Sequence, residues 1–131
     1  MMDREFVVVL VTVGSRSEGE NLARQLVGDG LAACVNIVGP IRSVYVWEGE
    51  VAEDDEHLLM IKSRDELLAA LEARVREMHS YEVPEVVALP ITGGSAPYLD
   101  WLRAVSYTHL TLPTRSCQCR SRGAGGRCGG G

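Results

Sequence analysis

Four apolar runs rich in β-branched residues alternate with three amphipathic segments, in the order β-α-β-β-α-β-α. That order predicts an α+β fold: a ferredoxin-like βαββαβ sandwich with a long protruding hairpin and a short extra C-terminal helix. Two further observations support it. Phe6–Val13 has no polar alternation, so both of its faces are covered and it is a central strand. Gly39-Pro40 breaks a run that then resumes with alternation, which suits a bulged strand whose second half leaves the main sheet.

Each element follows from its own residues. Gly14 and Ser15 end the first strand, and Ser17 with Glu20 predicts a capping box that opens a helix. Leu22, Ala23, Leu26 and Val27 form the buried stripe of that helix, and Gly28 and Gly30 supply a left-handed stop. Leu31–Val38 is the second apolar run, continued after the break by Ile41–Trp47. Glu48-Gly49-Glu50 is a turn, Val51–Glu56 an acidic hairpin rim, and His57–Ser63 the return strand. Ser63 with Glu66 predicts a second capping box, ahead of Leu67, Leu71, Val75 and Met78 at helical spacing. Arg74 and Arg76 lie in the last turns of that helix, where cations suit the dipole. Glu85–Thr92 is the fourth strand; Ser95 and Pro97 are the N-cap pair of a short helix with Tyr98, Leu102 and Val105 on one face.

The chain has 131 residues, enough for one domain with a single core. Its formal charge of −5 is uneven. Ser106–Gly131 holds four of the 13 basic residues and none of the 18 acidic ones, so residues 1–105 carry 9 against 18, a net charge of −9. A body this acidic repels nucleic acid and attracts cations. Cys34 is the sole cysteine of that body, which fits a reducing compartment. No signal peptide or membrane span is legible, and the expected location is the cytoplasm. Ser106–Gly131 has no apolar period and ends in Gly and Arg. It reads as a disordered tail resembling translated adapter sequence, outside the 1–105 domain. Cys117-x-Cys119 with Cys128 is not a zinc spacing.

The stretch His79–Pro90 concentrates chemistry. His79, Tyr81, Glu82 and Glu85 fall in one turn at a helix-to-strand corner, a pattern that serves either a ligand pocket or a hydrogen-bonded corner. Its wording, His-Ser-Tyr-Glu-Val-Pro-Glu, resembles the His-Pro-Tyr-Glu-Val-Pro-Glu signature of the CutA family, the divalent-cation tolerance proteins, with Ser80 at the usual proline. The likeness extends to Gly30–Asn36, Tyr45–Gly49, Leu59–Ser63, Leu89–Ile91 and Tyr98–Leu102, and so spans about residues 5–105.

The resemblance implies a homotrimer whose hairpins pair across subunits, acting in tolerance of divalent metal by binding rather than turnover. An uncovered apolar sheet face and exposed hairpin edges point the same way, since a second copy is the simplest cover for them. Copper is the ion implied, because a cysteine at the position of Cys34 is implicated in copper binding in the family. Thiolate and imidazole are soft donors, so Cys34 and His79 are the expected metal ligands. Lys62, Tyr81, Glu82, Glu85 and Trp47 are the expected lining of an inter-subunit cleft, with Lys62 turned toward Glu82 or Glu85. Tyr45 and Trp47 share a strand face and suit interface packing. No nucleophile–base set, phosphate loop or organic-cofactor motif is visible, so no enzyme activity is expected. The alternative is a signalling or small-ligand module like the PII proteins, which CutA resembles in architecture, holding an anionic metabolite near Lys62.

Overall fold

The computed structural model describes residues 5–106. The expectation for the tail falls outside the described residues except at Ser106. The elements are β1 (Phe6–Val13), α1 (Arg16–Gly28), β2 (Cys34–Trp47), β3 (Glu50–Arg64), a short 3-10 turn (Asp65–Leu67), α2 (Leu68–Met78), β4 (Val86–Pro90) and α3 (Ala96–Val105). They build one antiparallel sheet in the order β2-β3-β1-β4. This is the ferredoxin-like arrangement that the element order predicts.

The alternate residues of β1 divide the labour. Val7, Val9, Val11 and Val13 are at most 2% exposed and pack with Leu59 and Ile61 against Leu22 and Leu26 of α1 and Leu71 and Val75 of α2. Gly19 lets α1 settle onto the sheet: a Cβ there would stand 3.2 Å from both Leu59 and Val13. Among the described residues no helix lies over the middle of the other sheet face, although Arg103 of α3 lies over Phe6 at its end. The rows of this face run across the strands as Cys34, Lys62, Val8, Leu89 and as Asn36, Met60, Leu10, Val87. Val87 and Leu89 are 44% and 48% exposed.

Two helix starts differ from the expected capping boxes. The N-cap of α1 is Ser15, whose extended backbone lets Oγ accept from the Glu18 N–H at 3.1 Å; Ser17 lies inside the helix. Ser63 is still in β3, because Phe6 pairs with Arg64 and keeps the ladder going. Its buried hydroxyl donates to the Leu31 carbonyl at 2.7 Å, and α2 is entered through the 3-10 turn without a side-chain cap. Gly28 is still helical and is not part of the left-handed stop, whereas the Gly30 and Ser95 signals hold. Gly30 at φ 77° closes α1, with the Leu31 N–H on the Leu26 carbonyl, and Ser95 caps α3.

The hairpin extends beyond the sheet. β1 makes its last pair at Val13 with His57, while β2 and β3 continue to Trp47 with Glu50. The tip is a two-residue turn, Glu48 at φ 52° and Gly49 at φ 81°, of the kind whose twist matches the strands. Between Val38 and Ile41 the register shifts. Before the bulge Cys34, Asn36 and Val38 share a face with the even residues of β3; after it Ile41, Ser43, Tyr45 and Trp47 do. Arg42 lies on the opposite face and bridges Asp55 at 2.8 Å and Glu53 at 3.0 Å.

Candidate functional site

The corner after α2 is anchored by His79. The β1–β4 ladder stops at Val11 with Val86, and the Thr12 carbonyl beyond it accepts from His79 Nε2 at 2.8 Å. The Tyr81 N–H donates to His79 Nδ1 at 3.0 Å. That bond leaves Nδ1 as the acceptor and puts the ring proton on Nε2. The side chain is fully enclosed, with Glu18 Oε2 lying 3.5 Å from Nδ1. Glu18 is itself held by the Ser80 N–H at 3.0 Å and the Ser80 hydroxyl at 3.1 Å. A proline at position 80 could make neither bond.

Tyr81 carries the corner onto the hairpin. Its hydroxyl donates to Glu56 Oε2 at 2.7 Å, and a Cβ on Gly14 would stand 3.3 Å from the same hydroxyl. Burial first, and the Glu56 hydrogen bond second, push the Tyr81 phenol well above the usual tyrosine range. Tyr45 donates to Asp54 on the same ribbon face, and that bond raises its phenol as well. Around these pairs opens a cleft of about 760 Å³ on the side of the uncovered sheet face. Tyr45, Trp47 and Tyr81 give it aromatic walls, and Asp54, Glu56, Glu82 and Glu85 give it four carboxylates.

Four of the expected cleft residues, Trp47, Tyr81, Glu82 and Glu85, therefore line one cavity within a single chain. Lys62 does not join them. It lies six residues along β3 from Glu56, about 20 Å at strand rise. Its Nζ donates to Asn36 Oδ1 at the other end of the sheet, so the expectation that it turns to Glu82 or Glu85 fails within one chain. The expected metal pair is not assembled either. Cys34 stands across from Lys62, which pairs with Val8, whereas His79 grips Thr12, four residues further along β1 and about 13 Å away. As folded, His79 has no lone pair left for a metal, because Tyr81 occupies Nδ1 and Nε2 bears the proton. The Cys34 thiol donates to the Asn36 amide oxygen at 3.8 Å. Among the described residues no group of three or more His, Cys, Asp or Glu side chains is placed to hold a metal ion. The donors of one chain thus do not fit copper.

Glu18, Ser80 and Glu56 are the site residues that spacing missed. Glu18 and Ser80 are 62 positions apart, and only the sandwich brings them together. The observed arrangement is that of a ferredoxin-like domain with a buried polar corner, an acidic aromatic cleft and an open sheet face.

The comparisons define the family. The sequence model of the CutA1 divalent ion tolerance protein family matches residues 7–105, and the chain belongs to this family. It is 57% identical over 97 residues to the chloroplastic protein CutA of Arabidopsis thaliana, covering 74% of this chain and 53% of the relative. It is 51% identical over 96 residues to the divalent-cation tolerance protein CutA of Thermus thermophilus, covering 73% of this chain and 93% of the relative. The chain thus spans about half the length of the plant relatives. Among solved structures, CutA1 from Oryza sativa superposes with a TM-score of 0.78 at 50% identity, covering 80% of this chain and 96% of that one. The Thermus thermophilus divalent cation tolerance protein gives 0.77 at 48% identity, covering 78% and 99%. Among the described residues no helix is long and apolar enough to cross a membrane.

Proposed function

We propose that this chain acts in divalent-cation tolerance as a homotrimer that binds metal rather than transforming a substrate, with copper the first ion to test. The observation that carries the reading is the open sheet face, where Cys34 shares a row with Lys62, Val8 and Leu89, next to the row of Asn36, Met60, Leu10 and Val87. An apolar face of this extent calls for a partner surface, and a second and third copy supply one. Burying it encloses Cys34 at an interface, where a soft thiolate favours Cu(I) and where donors from several copies can complete a set that one copy lacks. A single cysteine among the described residues also suits a reducing compartment, the cytoplasm.

The test couples size-exclusion light scattering to copper titration of the wild type and of Cys34→Ala. A stable monomer sinks the trimer, and unchanged copper affinity in Cys34→Ala removes the ligand. The cleft favours a second reading, a PII-like small-ligand module without a direct metal role. Its lining inverts the anionic ligand expected near Lys62: four carboxylates and three aromatic rings suit a cationic or neutral guest. Thermal-shift screening of metal salts against small organic cations separates the two readings.

A further inference from the structure

We propose that His79 is a proton-operated latch on the wall of the acidic cleft. When a proton reaches Nδ1, the ring exchanges its bond from the Tyr81 N–H for one to Glu18, and the Tyr81 corner is released. The inference concerns the folded chain itself and does not depend on metal.

The geometry leaves the ring two mutually exclusive states. In the neutral state Nδ1 is an acceptor, and the Tyr81 N–H fills it at 3.0 Å. A protonated Nδ1 is a donor, and a donor cannot receive an N–H. Glu18 Oε2 already waits 3.5 Å away. Its two Ser80 bonds are to Oε2 and Oε1, one each, so Oε2 has capacity for a further donor. Nε2 need not change, since it donates to the Thr12 carbonyl in both states. A small ring tilt thus trades a neutral hydrogen bond for a charge-assisted one.

The groups facing the imidazole come from each neighbouring element. Glu18 comes from α1 and the Thr12 carbonyl from β1; the Tyr81 ring comes from the corner, 4.7 Å between centroids. Glu56 of β3 lies one bond further, through the Tyr81 hydroxyl. On α2 itself, Arg76 is turned to Glu72 at 3.9 Å. The anion nearest the ring is therefore Glu18, which captures the proton's charge, while Glu56 holds the far end of Tyr81. Once the Tyr81 N–H is unpaired, its hydroxyl bond to Glu56 is the hydrogen bond that still ties the residue to the hairpin. The wall formed by Tyr81, Glu82 and Glu85 then loosens as the pH falls.

Nitrogen-15 NMR of the full chain, from about pH 8 to about pH 5, tests this. The expected result is a neutral His79 with its proton on Nε2, and a Tyr81 amide that loses about five- to tenfold of its exchange protection in step with protonation of the ring. In Glu18→Gln, which keeps an oxygen for Ser80 but removes the charge, the Tyr81 transition moves to lower pH. A Tyr81 amide that stays equally protected while His79 gains its proton overturns the latch. So does a His79 that remains neutral until the whole domain melts, or a neutral ring with its proton on Nδ1.

Discussion

The Tyr81 hydroxyl meets the Glu56 carboxylate at 2.7 Å, and this one bond ties the corner after α2 to the base of the hairpin. Glu56 is 7% exposed, so its carboxylate depends on that donor. Removing the donor alone leaves a buried charge short of a partner. Tyr81→Phe should cost about 1–2 kcal/mol and lower the thermal midpoint by a few degrees, read by calorimetry. The pH dependence has a definite sign. A phenol raised in the folded state contributes stability below the ordinary tyrosine value, about 10, and that contribution is lost as pH rises through the folded value. The alkaline loss of stability should therefore be smaller in Tyr81→Phe than in the wild type. Equal alkaline profiles would show that the pair is not coupled to folding.

His79 replaces a strand at the end of β1. His79→Ala strips the Thr12 carbonyl and the Tyr81 N–H of their partners and opens a cavity where the ring is enclosed. The expected cost is about 2–4 kcal/mol in urea unfolding. A loss below about 0.5 kcal/mol would mean that water satisfies both groups and that the corner is less tightly built than its bonds suggest.

Two glycines make opposite predictions. At Gly39 an added Cβ would stand 2.5 Å from His57 Cδ2 and 3.1 Å from its Cα, so backbone as well as ring must move. Gly39→Ala should destabilise by about 1–3 kcal/mol. At Gly28, the last residue of α1, a Cβ meets nothing within 4 Å. Gly28→Ala should be neutral or stabilise by up to about 1 kcal/mol through helix propensity and a stiffer unfolded chain. Chemical denaturation of the two variants side by side checks the contrast.

Assembly can be separated from folding on β4. Val87 and Leu89 are about half exposed in the single chain, so Val87→Asp with Leu89→Asp leaves the helix-facing core untouched. The double variant should keep a native circular dichroism spectrum yet elute as a smaller species than the wild type in light scattering. An unchanged mass would remove this face from the proposed interface.

Much of this molecule is legible from periodicity. The all-apolar β1, the heptad-like spacing of Leu67, Leu71, Val75 and Met78, and the Gly39-Pro40 break each encode one local decision, and each appears in the fold. Helix starts were harder to read, because Ser15 and Ser17 are chemically equivalent caps and only backbone geometry selects between them. At Ser63 a long-range ladder overrides a local cap signal. The site splits in the same way. Tyr81, Glu82 and Glu85 are sequence neighbours and stay together, whereas chemistry alone groups Lys62 with them and Cys34 with His79, although strand rise carries Lys62 and Cys34 to the far end. Glu18 could not be foreseen, since an acid in the first turn of a helix ordinarily serves its own helix.

The bulge at Val38 and Ile41 sets a rule for how this arm can change length. Everything from Ile41 to Glu56 keeps Tyr45 and Trp47 on the cleft side and Arg42 on the reverse only because one irregular step has reset the alternation. Inserting or deleting a single residue beyond that step would turn the ribbon inside out, exchanging Tyr45 and Trp47 with Arg42 between its two faces. Related chains with longer or shorter arms should therefore differ by even numbers of residues, or carry a second compensating irregularity.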